Sequence, residues 1–170
     1  MVCVLFIPWS CGMDYLVDGM LGKLARWLRM LGHNVTYYRN FDDASLLVLA
    51  KTENRTLLTR DQKLYQKALK DGLNAFLVDS KNQEERLALL ANKFDFKLEI
   101  DLSLSRCPKC NGSLVDISKD EVKDKVPDGT FKYYDEFWQC TSCGKIYWKG
   151  AHWSRIQGAL EAAKSKLGPV

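Results

Sequence analysis

Strand-like runs alternate with helix-like runs across residues 14–100, and two CxxC pairs follow them. Together these observations predict an α/β fold, with a parallel sheet flanked by helices and a small cysteine-pinned β-module behind it. Right-handed crossovers between parallel strands put the helices on both faces of the sheet. The cysteine pairs are Cys107/Cys110 and Cys140/Cys143. Each pair offers two thiolates from one tight knuckle, and two knuckles complete a tetrahedron suited to one structural zinc per chain. A closed four-thiolate site leaves no open position for substrate. Any chemistry is therefore sought in residues 14–100.

Tyr15, Leu16 and Val17 form an apolar run that ends at Asp18. A helix is expected from Gly19 to Leu31, with Leu21, Leu24, Leu28 and Leu31 as its buried stripe and Gly32 as its stop. Asn34–Tyr38 reads as the second strand. Asp42 or Asp43 can cap a helix over Ala44–Lys51, which buries Leu46, Leu47 and Ala50. Arg55–Thr59 reads as the third strand and runs into Arg60-Asp61. A helix over Gln62–Lys70 stops at Asp71-Gly72. Ala75–Val78 is the fourth strand, ending at Asp79. Ser80 and Gln83 have capping-box spacing for a helix over Lys81–Asn92. Phe94–Leu98 alternates and reads as a short final strand, and residues 99–106 read as a linker.

In the module, Leu114–Ser118, Phe131–Cys140 and Lys145–Trp148 are the expected strands. Lys119–Lys125 reads as a solvated charge run and Pro127-Asp128-Gly129 as a turn. A helix over Ser154–Leu167 closes the chain. The expected units are residues 14–100, 105–158 and a closing helix over 154–167.

The net charge is +4. Residues 1–104 carry 14 Lys+Arg against 13 Asp+Glu, and residues 105–170 carry 11 against 8. The basic excess thus falls on the module, in keeping with a nucleic-acid partner. Metal-binding thiolates must stay reduced, which points to the cytoplasm and away from a disulfide framework. Residues 1–13 read as an extension or an early strand. Their apolar stretch is shorter than the ~20 residues a membrane span needs and lacks the cationic start of a signal peptide. Met13 is the expected natural start.

Asp18, Asp61 and Asp79 each follow a predicted strand, and Asp43 opens the helix after the second. Parallel α/β sheets gather ligand sites at the carboxyl ends of their strands. Crowded carboxylates repel one another unless a cation intervenes, and hard oxygen ligands suit Mg²⁺ or Mn²⁺. Such an ion activates water and stabilises charge on a phosphate. Asp43 and Asp61 are equally well placed to be plain N-caps, and Asp79 to start a turn. Lys23, Arg26 and Arg29, together with Arg60, are candidate phosphate contacts. The helical row reads equally as a solvated face. His33, next to Gly32, reads as a surface or turn residue. His152 reads as packing or an RNA contact.

The stretches LVDGMLGKLARWLRMLGHNV and DDASLLVLAKTENRTLLTRDQKL resemble a PIN-like nuclease domain. SRCPKCNGSL and CTSCGKIYWKGAHW resemble an appended zinc ribbon. In order and spacing they resemble the MUT-seven C-terminal RNase domain family over residues 14–158. The resemblance implies a Mg²⁺- or Mn²⁺-dependent RNase. Its acids carry over to Asp18, Asp43 and Asp61, with Asp42 as the neighbour of Asp43. Many PIN nucleases hold a further acid in a mid-domain helix. No counterpart is evident here, and Asp79 is the nearest candidate to supply that charge. Trp153 and Arg155, with Tyr147, Trp148 and Lys149, form either an RNA-stacking surface or module core. RNA is the expected partner, with ribosome or RNA-processing partners as the further expectation. The alternative is an RNA-binding or ribosome-associated module that keeps the fold without the chemistry.

Overall fold

The computed structural model describes residues 13–168. Residues 1–12, and with them the proposed extension, lie outside the described residues. Four parallel strands form the first sheet: β1 (Asp14–Val17), β2 (Asn34–Tyr37), β3 (Thr56–Thr59) and β4 (Ala75–Leu77). Their order is β2-β1-β3-β4. The connecting helices are α1 (Gly22–Met30), α2 (Asp43–Thr52) and α3 (Gln62–Lys70), and α4 (Gln83–Phe94) follows β4. Strand alternation splits the core in two. Leu16 and Leu57, paired in register, face Leu46, Leu47 and Ala50 of α2 and Leu64 and Ala68 of α3. Tyr15, Val17 and Leu58 face the other way, onto Leu24 and Leu28 of α1 and Leu87 and Leu90 of α4. Two helices on each face cover a sheet whose strands are apolar on both sides, as parallel sheets require.

The second sheet is antiparallel, with β5 (Leu114–Ile117), β6 (Phe137–Cys140) and β7 (Ile146–Tyr147) in that order. The last helix, α7 (Trp153–Lys164), returns to the first sheet, where Leu160 and Ala163 join the cluster of Leu87, Leu90 and Ala91.

Several expectations change at element ends. Phe94–Leu98 is not a strand. Helix α4 takes in Phe94 and ends on the left-handed Asp95, and Phe94, Phe96 and Leu98 all pack into the core. The cap of α4 is Asn82 rather than Ser80: its Oδ1 accepts from Glu85 N at 2.9 Å, and Glu85 Oε2 accepts from Lys81 N at 3.2 Å. Ser80 contributes only its backbone carbonyl, which accepts from the Arg86 guanidinium, and its hydroxyl makes no capping bond. The expected strand Phe131–Cys140 divides into a short helix α6 (Asp128–Tyr133) and β6. The charge run forms a short helix α5 (Lys119–Val122), closed by a Ser118–Glu121 capping box. Val122 is fully buried and meets Val126 and Phe137. The charged residues around it stay in solvent, with Asp120, Glu121, Lys123, Asp124 and Lys125 all exposed, so the run is solvated as expected and only Val122 turns inward.

β2 is an edge strand, and an edge leaves backbone groups unpaired. At Val35 the cysteine module and α1 satisfy them together. Asn111 Oδ1 accepts from Val35 N at 3.0 Å, and Arg29 donates Nε and one Nη to Val35 O at 3.1 and 2.8 Å. Asn111 Nδ2 also donates to Asn34 Oδ1 at 2.7 Å. The expected linker is itself part of the joint, since Ser105 is buried and donates to Met30 O, and Arg106 N donates to Arg29 O at 2.8 Å.

His33 is not a surface residue. It is 5% exposed and sits edge-on to Tyr15 and Phe96. Its Nδ1 accepts from Met13 N at 3.2 Å. Burial pushes its pKa down to about 4. The unfolded chain then binds a proton between pH ~6.5 and ~4 that the folded chain refuses, so folding stability falls as pH drops through that window. In denaturant titrations, wild type should lose about 2–3 kcal/mol more than His33→Leu on going from pH 7 to pH 4.5. The difference cancels the titrations the two proteins share. Parallel pH profiles would show that His33 is not held neutral.

Candidate functional site

The carboxyl ends of β1 and β3 meet through one hydroxyl. Asp18 directly follows β1, and its Oδ2 accepts from Thr59 Oγ1 at 2.7 Å. The same Thr59 Oγ1 accepts from Asp61 N at 3.0 Å. Thr59 is fully buried, so its two hydrogen bonds are sheltered and set the strand ends relative to each other. Gly19 is required at the turn after Asp18, because a Cβ there would lie 2.6 Å from Arg39 O.

Asp61 is the N-cap of α3. Its Oδ1 accepts from Lys63 N at 2.7 Å and Leu64 N at 3.0 Å. The backbone N–H groups of Leu64 and Lys63 hold its carboxyl below the usual carboxylate range. Both bonds fall on Oδ1, which leaves Oδ2 outside the cap. The neighbouring acids divide their duties. Asp42 is the cap of α2, with Ser45 N and Ser45 Oγ donating to its two carboxylate oxygens at 2.8 and 3.1 Å. Asp43 is the first residue of that helix and is exposed. Asp79 is exposed after β4 and lines a different recess of about 280 Å³ with Ser80, Glu85 and Lys166.

Asp18, Asp43 and Asp61 thus stand on the same edge of the sheet, by topology. They do not close to ligand distance: among the described residues, the four cysteines are the only group of three or more whose ligand atoms all lie within 4.8 Å of one another. A pair of exposed aromatics that sequence reasoning passed over stands in the loop leading to Asp42. Tyr38 and Phe41 stack with centroids 4.1 Å apart and planes 13° apart. Their signal was two aromatics flanking a polar loop just before the acidic pair.

The basic row separates. Lys23 and Arg26 are exposed on α1, as is Arg60 after β3. Arg29 is 7% exposed and turned inward, against the expectation of a phosphate contact. Besides Val35 O, it donates to Pro108 O at 3.2 Å and Lys109 O at 3.4 Å. Arg26 and Arg29 are neighbours on the helix surface, and it is the carbonyls of Val35, Pro108 and Lys109 that draw Arg29 into the joint. Trp148 packs in the small core of Val122, Val126 and Phe137. Trp153 is half-buried, and Arg155 is exposed with an Nη 2.6 Å from His152 Nδ1.

The four thiolates form a second centre. Cys107 Sγ lies 3.7 Å from Cys143 Sγ, and Cys110 Sγ 3.4 Å from Cys140 Sγ. A tetrahedral zinc with Zn–S bonds of ~2.3 Å sets its sulfurs roughly 3.8 Å apart, so the set fits zinc. Burial pushes the Cys107 thiol up. The Tyr147 hydroxyl, 3.0 Å away, and the knuckle N–H groups outweigh it and bring the thiol to about 6. The cluster is compatible with a zinc ribbon.

Among the described residues, no helix is long and apolar enough to cross a membrane. No curated protein and no solved structure matches the chain. A family model described as the Mut7-C RNAse domain matches residues 13–160, nearly the whole of the described chain. Because the match runs through both the α/β sheet and the cysteine module, the chain belongs to the Mut7-C RNAse domain family.

Proposed function

We propose that the chain is a Mg²⁺- or Mn²⁺-dependent ribonuclease that hydrolyses RNA phosphodiester bonds at the carboxyl edge of β1 and β3. In this reading residues 14–100 are a PIN-like nuclease domain and residues 105–158 a zinc ribbon that aids RNA binding in the cytoplasm. The observation that carries it is the Asp18–Thr59–Asp61 linkage, in which a buried hydroxyl holds one carboxylate and anchors the turn of another.

Asp18, Asp43 and Asp61 would hold the ion. Hard carboxylate oxygens suit it, and Mg²⁺ keeps several waters and binds through one or two carboxylates plus substrate phosphate, so a spacing wider than a closed cage is compatible. When bound, such an ion activates water and offsets phosphate charge. The remaining duties fall to this chain's own groups. Thr59 fixes the direction of Asp18. The α3 N-terminus keeps Asp61 ionised. Lys23, Arg26 and Arg60 meet phosphate oxygens as fixed positive charges. Tyr38 and Phe41 offer a face on which an unpaired base stacks.

Asp18→Asn is expected to lower RNA cleavage about a hundredfold or more in Mg²⁺ or Mn²⁺, with an unchanged circular dichroism spectrum. Wild type that cuts neither structured nor single-stranded RNA with either ion sinks the proposal, as does a variant that cuts at the wild-type rate. The open spacing of the acids favours one second reading, a ribosome-associated or other RNA-binding module without catalysis. RNA binding with no cleavage would select it.

A further inference from the structure

A cleft of about 380 Å³ lies where α1 and β2 meet the two cysteine knuckles. It is lined by Gly22, Arg26, Arg29 and Tyr37 from the first sheet's side, and by Pro108, Lys109, Lys145 and Tyr147 from the module. Half of these residues are basic and none is acidic. Arg26, Lys109 and Lys145 are exposed. Lys109 sits between the cysteines of one knuckle, and Lys145 follows the other, so the thiolate cluster sets the positions of both. Tyr37 holds the wall nearest the acids, with its hydroxyl donating to Gly19 O at 3.1 Å. Gly19 is the residue after Asp18, so the cleft opens beside the acidic edge.

We infer that this cleft is the track of a single RNA strand that leaves the acidic edge, its phosphates held jointly by Arg26, Lys109 and Lys145. Each half of the chain supplies part of the track, and neither has it alone. The volume is at the lower end of the ~300–1,000 Å³ typical of ligand clefts. That is room for one unit of a strand and not for a duplex. Arg29 forms the floor, since its donors are spent on Val35, Pro108 and Lys109 carbonyls. Its charge faces the thiolates of Cys107 and Cys110, so the cations that face the cleft are Arg26, Lys109 and Lys145. An anionic backbone is the polymer that such a field attracts without sequence preference. The cleft explains why the basic excess of the chain falls on the module. It rests on the ribonuclease reading only for what happens at the edge.

The test is binding of a fluorescein-labelled 12-nucleotide single-stranded RNA to the full chain, followed by anisotropy without Mg²⁺ or Mn²⁺ across a salt series. The Lys109→Gln/Lys145→Gln double variant should bind about tenfold more weakly, with a salt slope shallower by about 1.4 for two lost phosphate contacts. Lys67→Gln/Lys70→Gln, at the far end of α3, should bind within about twofold of wild type and with the same slope. Circular dichroism and metal content must match across the set. A double variant that binds like wild type overturns the track, and so does an equal loss of binding to the duplex of the same sequence. Cleavage measured beside it separates the two readings. RNA cut by wild type with binding untouched in the double variant overturns the cleft and keeps the nuclease. Binding lost in the double variant with no RNA cut keeps the cleft and overturns the nuclease.

Discussion

Cys107→Ser is expected to take the chain from one bound zinc to none and to unfold β5, β6 and β7. The module's own apolar content is too small to hold it. One of its two small cores consists of Cys107, Leu114, Trp138 and Cys140, so half of that core is ligand. The other is Val122, Val126 and Phe137 with a few half-buried neighbours. Modules of this size depend on metal, and structural zinc contributes about 10–16 kcal/mol in comparable peptides at pH 7. Elemental analysis of a reduced preparation gives the stoichiometry, and thermal unfolding with and without chelator gives the stability. The first sheet should survive with lower stability, because Leu160 and Ala163 of α7 and the cover on β2 would be lost with the module. A reduced wild-type preparation that is folded and holds no zinc would count against the site.

Arg29→Met is the second large effect, expected to cost about 3–5 kcal/mol in urea unfolding. The side chain donates to three backbone carbonyls: Val35 O on the sheet edge, and Pro108 O and Lys109 O in the first knuckle. Removing it orphans carbonyls on both sides of the joint, each worth about 1–3 kcal/mol where buried. It also removes a charge. Burial lowers the Arg29 pKa, and Cys107 and Cys110 act against that by favouring the cation. Four thiolates around a divalent zinc would carry a net negative charge, and Arg29 would be the buried cation beside it. Zinc release to a competing chelator should therefore be faster in Arg29→Met. Arg29→Lys should recover less than half of the lost stability, because a single ammonium cannot span both sides of the joint. Unchanged unfolding and zinc release in Arg29→Met would show that the joint is carried by Asn111 and Ser105 instead.

The legibility of each feature followed its range along the chain. The parallel strands were readable because Tyr15–Val17 and Leu57–Leu58 are short apolar runs ended by polar residues, and such runs are buried on both faces. Both Asp42 and Asp61 were readable as caps, since a cap depends on residues within one turn. Local alternation misled at Phe94–Leu98, where aromatics two apart fit a strand but belong to a helix end and the turn after it. At Phe131–Cys140 a run of aromatics hid a helix, because Pro127 and Asp128 favour a helix start as much as a turn.

The CxxC spacing of the cysteine cluster, and the position of Asp18 and Asp61 directly after apolar strands, were legible in the sequence alone, because both depend on residues close together in the chain; the strand order β2-β1-β3-β4 was not. Three things were decided only by the tertiary structure. Arg29 left the row of phosphate contacts, because α1 meets the module on that face. His33 left the surface, because Tyr15 and Phe96 close over it. The basic cleft has its walls in residues 22–37 and 108–147. No window of sequence contains it, because it exists only once Asn111 and Arg29 have paired the edge of β2 and seated the knuckles there.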